Sequence, residues 1–360
     1  PLARLHLIIR TTPGKIPSYK VDDLENRLVA AARSWTDNLS DALVAQYGEE
    51  KGLGILDRFA GAFDAGYRGH YGANQALQDI GKIETLVADG GIGMTLYRPA
   101  DTPANRIRFK VYHPERSIPL SDALPLFEHM GFRVVDEVPH EVRLRQDQDR
   151  MIMIHDFGLE SKDGAGVDMD SIRENFQDAF VRVWRGEIES DGLNALVSGV
   201  GLTWREVVIL RAYAKYLRQA GIAFSQAYME QTLAANAKIT RRIVDLFVTL
   251  FDPGPRGSKA GTTARNRSAK ANRIKANIAK GLDAVVSADE DRILRRFLNA
   301  VDSTLRTNFY QTTEDGGQKS YLSFKLNSRA IEELPLPRPL YEIFVYSPRI
   351  EGIHLRFGMV

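Results

Sequence analysis

The spacing of apolar residues changes along this chain, and that change constrains its fold class. Between residues 91 and 157 several stretches alternate apolar with polar residues, as in half-buried β-strands. From residue 190 they recur at three- and four-residue intervals instead, which is typical of helices that bury one face. Alternation returns after residue 318. This segregation predicts an α+β chain in which a sheet with helices is followed by a mainly helical domain and a short C-terminal β segment.

Residues 1–90 combine a strand pattern with helical patterns. Alternation at residues 5–9 predicts a strand, and the stretch 21–48 predicts one helix capped by Asp22 or Asp23. The apolar positions of that helix are Leu24, Leu28, Ala31, Trp35, Leu39 and Leu43. Two shorter helices are predicted around 54–64 and 74–88. We therefore assign 1–90 to one unit that consists of a strand plus helices.

Residues 91–189 predict a compact sheet with one helical layer. Ser121 is expected to cap a helix that Gly131 stops after Met130. Strands are predicted at 91–99, 106–114, 132–138, 141–145 and 151–157, and an amphipathic helix runs from about Asp168 to Trp184. We expect this helix to cover the same sheet, which would be mostly antiparallel.

Residues 190–317 are predicted to form a helical domain. Thr203 and Glu206 have the spacing of a capping box, and the helix that they open ends at Gly221. Two further helices are split near Asn236. The second has an apolar stripe of Ile239, Ile243, Leu246, Phe247 and Leu250. Helix-bundle core is the preferred interpretation of this stripe, and a groove for a partner helix is the alternative.

Residues 318–360 end in strand patterns that continue almost to the last residue. Ile343 and Val345, and then Ile353, Leu355 and Phe357, alternate with polar neighbours as in half-buried strands. Domains more often close with a tied-down element or a polar tail. The sequence therefore raises the expectation that Val360 is not the natural end of the protein.

Composition places the chain in a broad class without naming a partner. Lys and Arg total 48 against 46 Asp and Glu, so the net charge is too small to indicate a polyanionic ligand. Cysteine is absent, which excludes disulfides and thiolate metal sites and favours a reducing compartment. No apolar run reaches the length of a membrane helix, and no signal sequence is recognisable at residues 1–15. We expect a cytoplasmic protein without membrane contact.

The segment 256–280 is the one departure from balanced charge. It contains Arg256, Lys259, Arg265, Arg267, Lys270, Arg273, Lys275 and Lys280 and no acidic residue. A phosphate-tracking patch for nucleic acid is one interpretation. A flexible loop followed by the solvated face of a helix is the preferred one, because no aromatic residue is interleaved to stack on bases.

The residues themselves point to no catalytic, cofactor-binding or metal site, so none is assigned. The histidines are His6, His70, His113, His129, His140, His155 and His354, and none has a metal-binding spacing. "IHDFG" at 154–158 is similar to a kinase magnesium motif but lacks the accompanying kinase motifs. "GSKAGT" falls short of a phosphate-binding loop, and no Gly-x-Gly-x-x-Gly or Gly-x-Ser-x-Gly motif is present.

Five sequence blocks, taken together, resemble the large bacterial NAD-dependent glutamate dehydrogenases. They lie at 121–142, 191–219, 305–311, 319–326 and 342–360 and include "SDALPLFEHMGFRVVDEVPHEV" and "EIFVYSPRIEGIHLRFGMV". They occur in the family's order and extend over most of the chain. The resemblance implies ACT-like modules, in part within 1–90 and in full within 91–189, then the helical segment. It also implies that 318–360 opens a catalytic, glutamate-binding lobe.

The same resemblance implies where the chemistry would lie. In the family, the segment corresponding to "HLRFGMV" leads into a Gly-Gly segment, the substrate-holding lysines and the NAD-binding lobe. The catalytic residues would therefore lie beyond Val360. We expect the complete enzyme to use NAD to convert L-glutamate and water to 2-oxoglutarate and ammonia, and we expect this portion alone to be inactive.

A regulatory and architectural role is the remaining implication for this portion. Its expected partners are the catalytic region of its own chain, further copies in a homo-oligomer and an amino-acid effector. The loop 113–121, where ACT domains commonly bind amino acids through a glycine, has no glycine and contains Pro114 and Pro119. Effector binding at this loop is therefore not favoured. A stand-alone amino-acid- or protein-binding module is the alternative function, and nucleic-acid binding through 256–280 is a less favoured one.

Overall fold

A computed structural model describes residues 12, 18, 20–115, 117–144, 150–254 and 260–358. The α+β prediction is confirmed, because helices are accompanied by two four-stranded antiparallel sheets, one of them at the C-terminal end. The chain divides into two compact units: one comprises the described residues of 1–90 and 140–152, and the other those of 91–139 and 153–360. The boundaries of the four domains proposed from sequence stay predictions.

The first unit contains five helices in its described residues: α1 (Val21–Ala32), α2 (Trp35–Tyr47), α3 (Glu49–Phe59), α4 (Ala65–His70) and α5 (Ala73–Asp89). The predictions of helices around 54–64 and 74–88 correspond to α3, which begins five residues earlier than expected, and to α5. The strand predicted at residues 5–9 lies outside the described residues.

The single helix predicted over 21–48 is wrong. The chain breaks between α1 and α2 because Ser34 starts a new helix, accepting a hydrogen bond from Asp37 N at 3.1 Å while Asp37 caps Ser34 N in return. Lys20, rather than Asp22 or Asp23, is the N-cap residue of α1. Leu24 is exposed whereas Leu39 is fully buried, so the predicted apolar face is continuous only within α2.

The first sheet, most of whose residues belong to the second unit, has four strands: β1 (Gly93–Tyr97), β2 (Arg106–Pro114), β3 (Phe132–Arg143) and β4 (Met151–Ser161). Their order is β1-β2-β4-β3, and β1 is antiparallel to β2. Two helices, α6 (Leu120–His129) and α7 (Met169–Trp184), supply apolar side chains to the core on one face of this sheet. The predicted arrangement of strand, helix, strand, strand and covering helix is present.

Two details of this module differ from prediction. The separate strands expected at 132–138 and 141–145 are one strand, β3, which continues through Pro139. β3 lies at the edge of the sheet, where a residue without an N–H group need not interrupt a ladder. Ser121 does not cap α6, because Pro119 occupies the N-cap position and Ser121 lies in the first turn. Gly131 follows the helix with a φ of 89°, as a helix-terminating glycine does.

Six helices follow: α8 (Ala195–Val200), α9 (Trp204–Gln219), α10 (Gln226–Ala235), α11 (Ala237–Phe251), α12 (Ala260–Leu282) and α13 (Ala288–Asp302). The capping box of Thr203 and Glu206, the turn at Gly221 and the division at Asn236 are confirmed. Ile243, Leu246 and Phe247 of the apolar stripe are fully buried, so the stripe is core.

The C-terminal sheet consists of β5 (Thr304–Thr307), β6 (Leu322–Asn327), β7 (Tyr341–Ser347) and β8 (Ile350–Arg356), in that order. In β7 the buried and exposed faces are the reverse of those predicted. Phe344 and Tyr346 are buried, whereas Val345 is 38% exposed. The sheet packs on α9, where Tyr213 stacks on Phe324 with ring centroids 4.2 Å apart, and the aromatic positions therefore face inward.

Helix α9 is the central element of this unit and contains a buried ion pair. Arg211 is 0% exposed and donates two hydrogen bonds of 2.8 Å to the carboxylate of Asp191. It also donates to Asn194 Oδ1 at 2.6 Å. Burial by itself would lower the pKa of Arg211, but the hydrogen bonds and charge of Asp191 raise it above its ordinary value. The guanidinium therefore stays charged inside the core and fixes the segment before α8 to α9.

Replacing Asp191 by Asn tests the contribution of this pair to stability. The variant retains the side-chain size but leaves a buried charge uncompensated, and we expect the free energy of unfolding to fall by about 3 kcal/mol. Urea denaturation followed by circular dichroism measures the change. Asp283→Asn, at an exposed position of the same unit, is the matched control and should change stability little. A loss no larger than that of the control would show that the pair does not stabilise the fold.

Glu342 provides a pH-dependent test of the packing between α9 and β7. It is 3% exposed and accepts a hydrogen bond of 2.5 Å from Tyr216 Oη. Burial raises the pKa of Glu342 above its ordinary 4.5, although the Tyr216 hydroxyl opposes the shift. Glu342 therefore keeps its proton to a higher pH in the folded chain than in the unfolded chain. Stability contributed by Glu342 is lost as the pH rises through its folded-state pKa.

We expect Glu342→Gln to abolish this pH dependence while preserving an acceptor for Tyr216. Between about pH 4 and about pH 8, the stability of the variant should fall less with rising pH than that of the parent chain. Urea midpoints across this range measure the difference, and Glu314→Gln, which changes an exposed carboxylate, is the control. Parallel pH profiles for the parent chain and Glu342→Gln would contradict the assignment.

Candidate anion-binding site

A cleft of about 850 Å³ lies in the second unit, and its walls come from three parts of the sequence. One wall is the C-terminal end of α7 with the turn that follows it, and a second is the first turn of α9. The third consists of the 316–322 segment before β6 and the turn between β7 and β8. A volume of this order accommodates a small organic ligand.

Arg205 is the buried cation of this cleft. The residue is 6% exposed, and Thr203 fixes its position by capping the helix on which it lies. Its Nη1 donates to the carbonyl oxygen of Lys319 at 3.2 Å and its Nη2 to that of Phe309 at 3.4 Å. Its Nε is buried without an acceptor among the described residues. Most of the hydrogen-bonding capacity of this guanidinium is therefore unused within the described part of the chain.

No acidic side chain within the described ranges forms an ion pair with Arg205, in contrast to Arg211 on the same helix. Burial, and secondarily the positive charge of Arg182, lower the pKa of Arg205 below its ordinary value. Both causes disfavour the charged form, and arginine nevertheless remains protonated in proteins. An anion beside Arg205 would remove this electrostatic cost.

The two arginines at the end of α7 are already partly neutralised. Arg182 donates to Asp178 at 3.0 Å and to Glu187 at 2.8 Å, and its guanidinium lies 4.1 Å from the centroid of the Trp204 ring. Arg185 approaches Glu187 at 3.8 Å. These residues shape one wall of the cleft, but their charges are balanced locally.

Two further cations stand at the rim. Lys319 precedes β6, and Arg349 is exposed in the turn between β7 and β8. Neither forms an ion pair with an acidic residue that the structure describes. Together with Arg205 they give the cleft three positive charges. No carboxylate among the described residues forms an ion pair with any of the three. The remaining wall is apolar or aromatic at Ile188, Trp204 and Val208. Such a cleft suits a ligand in which an anionic group is attached to an apolar group.

Several of the described histidines have structural contacts. Among the described residues no group of three His, Asp or Glu side chains has the geometry of a metal site. His155 is buried and has a structural role: its Nδ1 lies 2.7 Å from Glu137 Oε1, and its Nε2 accepts from Ile118 N at 3.1 Å. This occupies a backbone N–H of the 113–121 loop, so that N–H is not available to a ligand. The absence of an amino-acid site at this loop stays a prediction.

Asp156 of the "IHDFG" sequence is likewise structural. It is fully buried and accepts hydrogen bonds from Tyr97 Oη at 2.5 Å and from Arg108 Nε at 3.0 Å. Its carboxylate is therefore used within the sheet and is not presented to a magnesium ion.

The basic segment forms part of α12 where it is described, and Arg256 and Lys259 lie outside the described residues. Lys275 forms an ion pair with Asp302, and Arg267 donates to the carbonyl oxygen of Asp252. Lys270 and Arg273 are exposed. Part of the charge is thus neutralised within the unit, as in the solvated-helix interpretation.

The region between β4 and α7 lacks the dinucleotide-binding fingerprint. Gly164 and Gly166 lie between β4 and α7, but Met169 stands where the dinucleotide fingerprint requires a third glycine. The N-cap of α7 is also an acidic residue, Asp168, which accepts from Asp170 N. A carboxylate at this helix N-terminus would repel a pyrophosphate.

None of the described helices has the length and apolar character needed to cross a bilayer.

Sequence reasoning did not identify Arg205, because an arginine next to a helix cap usually lies in solvent. "TWRE" shows the capping box but not the burial of Arg205 by segments more than a hundred residues further along the chain. Lys319 and Arg349 give no local signal either. Only the tertiary structure brings these cations to one cleft.

Comparison with known protein families matches consecutive parts of the chain to glutamate dehydrogenase domains. The ACT2 domain matches 1–36, helical motif 2 matches 42–86 and the ACT3 domain matches 91–172. Helical motif 3 matches 188–253, and the catalytic domain of bacterial NAD-glutamate dehydrogenase matches 277–360. The order of these domains is that implied by the sequence resemblance.

Curated relatives agree with this assignment. The NAD-specific glutamate dehydrogenases of Halomonas elongata and Pseudomonas aeruginosa are 40% and 41% identical over 359 residues. The enzyme of the same name from Mycobacterium tuberculosis is 38% identical over 343 residues. These alignments cover 94–100% of this chain but only 20–22% of each relative. The chain thus spans about a fifth of the length of these relatives. It belongs to the family of large bacterial NAD-dependent glutamate dehydrogenases.

Proposed function

We propose that the chain is the non-catalytic, regulatory and architectural portion of an NAD-dependent glutamate dehydrogenase. The complete enzyme would convert L-glutamate, NAD⁺ and water to 2-oxoglutarate, ammonium and NADH, with release of one proton. NAD would supply the hydride acceptor, and residues outside this chain would bind it. The proposal includes a cytoplasmic location and assembly with further copies of the same protein.

The observation that carries the regulatory role is the composition of the cleft walls. Arg182 lies just after the region that matches the ACT3 domain, Arg205 lies in helical motif 3, and Lys319 and Arg349 lie in the catalytic-domain match. A ligand that touches all three walls stabilises the arrangement in which they are closest. Binding in the cleft would therefore act on the first strands of the catalytic domain.

The architectural role is supported by the buried contacts around α9. Tyr213 Oη lies 2.7 Å from Thr304 Oγ1, and Tyr216 donates to Glu342. Both contacts join the region of helical motif 3 to strands of the catalytic-domain match. These strands would be positioned by the helical motif before any catalytic residue is reached.

The proposal predicts that this chain lacks turnover whereas the product of its complete native gene has it. NADH absorbance in the presence of L-glutamate and NAD⁺ measures both, and equal molar amounts of the two proteins provide the comparison. Glutamate-dependent NADH formation by the 360-residue chain would overturn its non-catalytic assignment. A native gene product that is folded but inactive would contradict the parent activity.

A stand-alone binding module is the second candidate function, and it requires that the native reading frame ends near the codon for Val360. Sequencing the gene beyond that codon separates the two. A continuing frame that encodes a Gly-Gly segment, lysines and a Gly-rich nucleotide-binding turn supports the dehydrogenase, and a stop codon favours the module.

Nucleic-acid binding through 256–280 is less favoured, and we expect no specific retention of the chain on DNA or RNA near physiological salt. Electrophoretic mobility shifts at increasing salt measure it. Retention that falls steeply with salt and is lost in a Lys270→Gln, Arg273→Gln double variant would support nucleic-acid binding instead.

A further inference from the structure

We propose that the ligand of the cleft is a small organic dianion, a dicarboxylate or a phosphate monoester, with one anionic group held by Arg205. This refines the proposed regulatory function and rests on it for its biological meaning. Nothing in the sequence motifs assigns a ligand to this position. The inference follows from the buried, unpaired guanidinium and from the charges and size of the cleft.

The buried position of Arg205 determines the first anionic group. Its guanidinium is held by two long hydrogen bonds to carbonyl oxygens, which neutralise no charge. The rings of Phe309 and Trp204, at 5.0 and 5.8 Å, exclude water from part of its surface. A planar fork in such surroundings is suited to a carboxylate or phosphate, whose oxygens accept from neighbouring N–H groups.

The charge balance of the rim indicates a second negative charge. A monoanion at Arg205 would leave Lys319 and Arg349 uncompensated, whereas Arg182 and Arg185 already share Asp178 and Glu187. Lys319 is linked to Arg205 because its own carbonyl oxygen accepts from Nη1. An anion that reaches from Arg205 towards the rim therefore encounters a second cation on the segment that holds the first.

The size of the cleft favours an organic ligand over a free inorganic ion. At about 850 Å³ it is much larger than a phosphate ion, and Ile188, Trp204 and Val208 supply apolar surface. A hydrocarbon chain or an aromatic ring between or beside the anionic groups would cover these side chains. This distinguishes the expected ligand from a phosphate that merely neutralises exposed lysines.

Isothermal titration of the intact chain tests the inference with defined probes. The probes are glutarate, phenyl phosphate and inorganic phosphate, and acetate is the monoanionic control. We expect glutarate or phenyl phosphate to bind at least about tenfold more tightly than acetate, and more weakly as salt rises. Preference for glutarate identifies a dicarboxylate site, and preference for phenyl phosphate identifies a phosphate-monoester site.

Substitutions then place the binding in the cleft. Arg205→Gln removes a charged partner and should weaken binding about tenfold or more. Lys319→Gln changes a residue of the loop before β6 and should weaken binding by a smaller factor. Arg218→Gln, an exposed change on the same helix outside the cleft, should leave the affinity unchanged. Thermal melts of each variant establish that it is folded.

The outcomes separate this inference from the proposed function. Two results would overturn the dianion site. One is that none of the probes binds. The other is that folded Lys319→Gln and Arg205→Gln variants bind the probes as tightly as the parent chain does. The complete enzyme would still turn over glutamate in that case. Conversely, tight binding lost in Arg205→Gln together with an inactive native gene product would support the site while refuting the proposed function.

Discussion

The second unit depends on the ion pair between Arg211 and Asp191, because it permits a helix to be buried on nearly all sides. Helix α9 buries eleven of its sixteen residues, far more than one face of an amphipathic helix provides. A charge at its centre would be costly without a partner, and Asp191 and Asn194 supply one. The helical layer and the C-terminal sheet can then pack against the same helix.

The candidate site is best understood by comparison with that pair. Arg205 and Arg211 lie on one helix and are both buried, but only Arg211 has a carboxylate. Their pKa values are shifted in opposite directions for that reason. A buried charge that the fold does not compensate makes such a residue a candidate for a functional role rather than a stabilising one. Arg205 lies in a cleft whose walls come from three regions of the family's domain order, and this placement supports the regulatory role proposed above.

Sequence patterns predicted which helices and strands form. They predicted less well which face of an element is buried and where one helix ends and the next begins. The helix ends set by Thr203, Gly221 and Asn236 were predictable because capping is local. The break at Ser34 was missed because an uninterrupted apolar pattern outweighed a capping box inside it. In β7 the β-branched residues suggested the buried face, but aromatic packing on α9 placed Phe344 and Tyr346 inward. The strand expected at 5–9 could not be compared.

By itself, the sequence determined the α+β class, the order of sheet and helices and the family, since periodicity, capping and blocks of residues that resemble a family are properties of contiguous segments. It also indicated that no known catalytic motif lies within these residues. Only the tertiary structure decided that Arg211 is paired, that Arg205 is not, and that Lys319 and Arg349 share a cleft with Arg205. These facts depend on segments far apart in the chain, and the desolvation of a charge follows from what surrounds it in space.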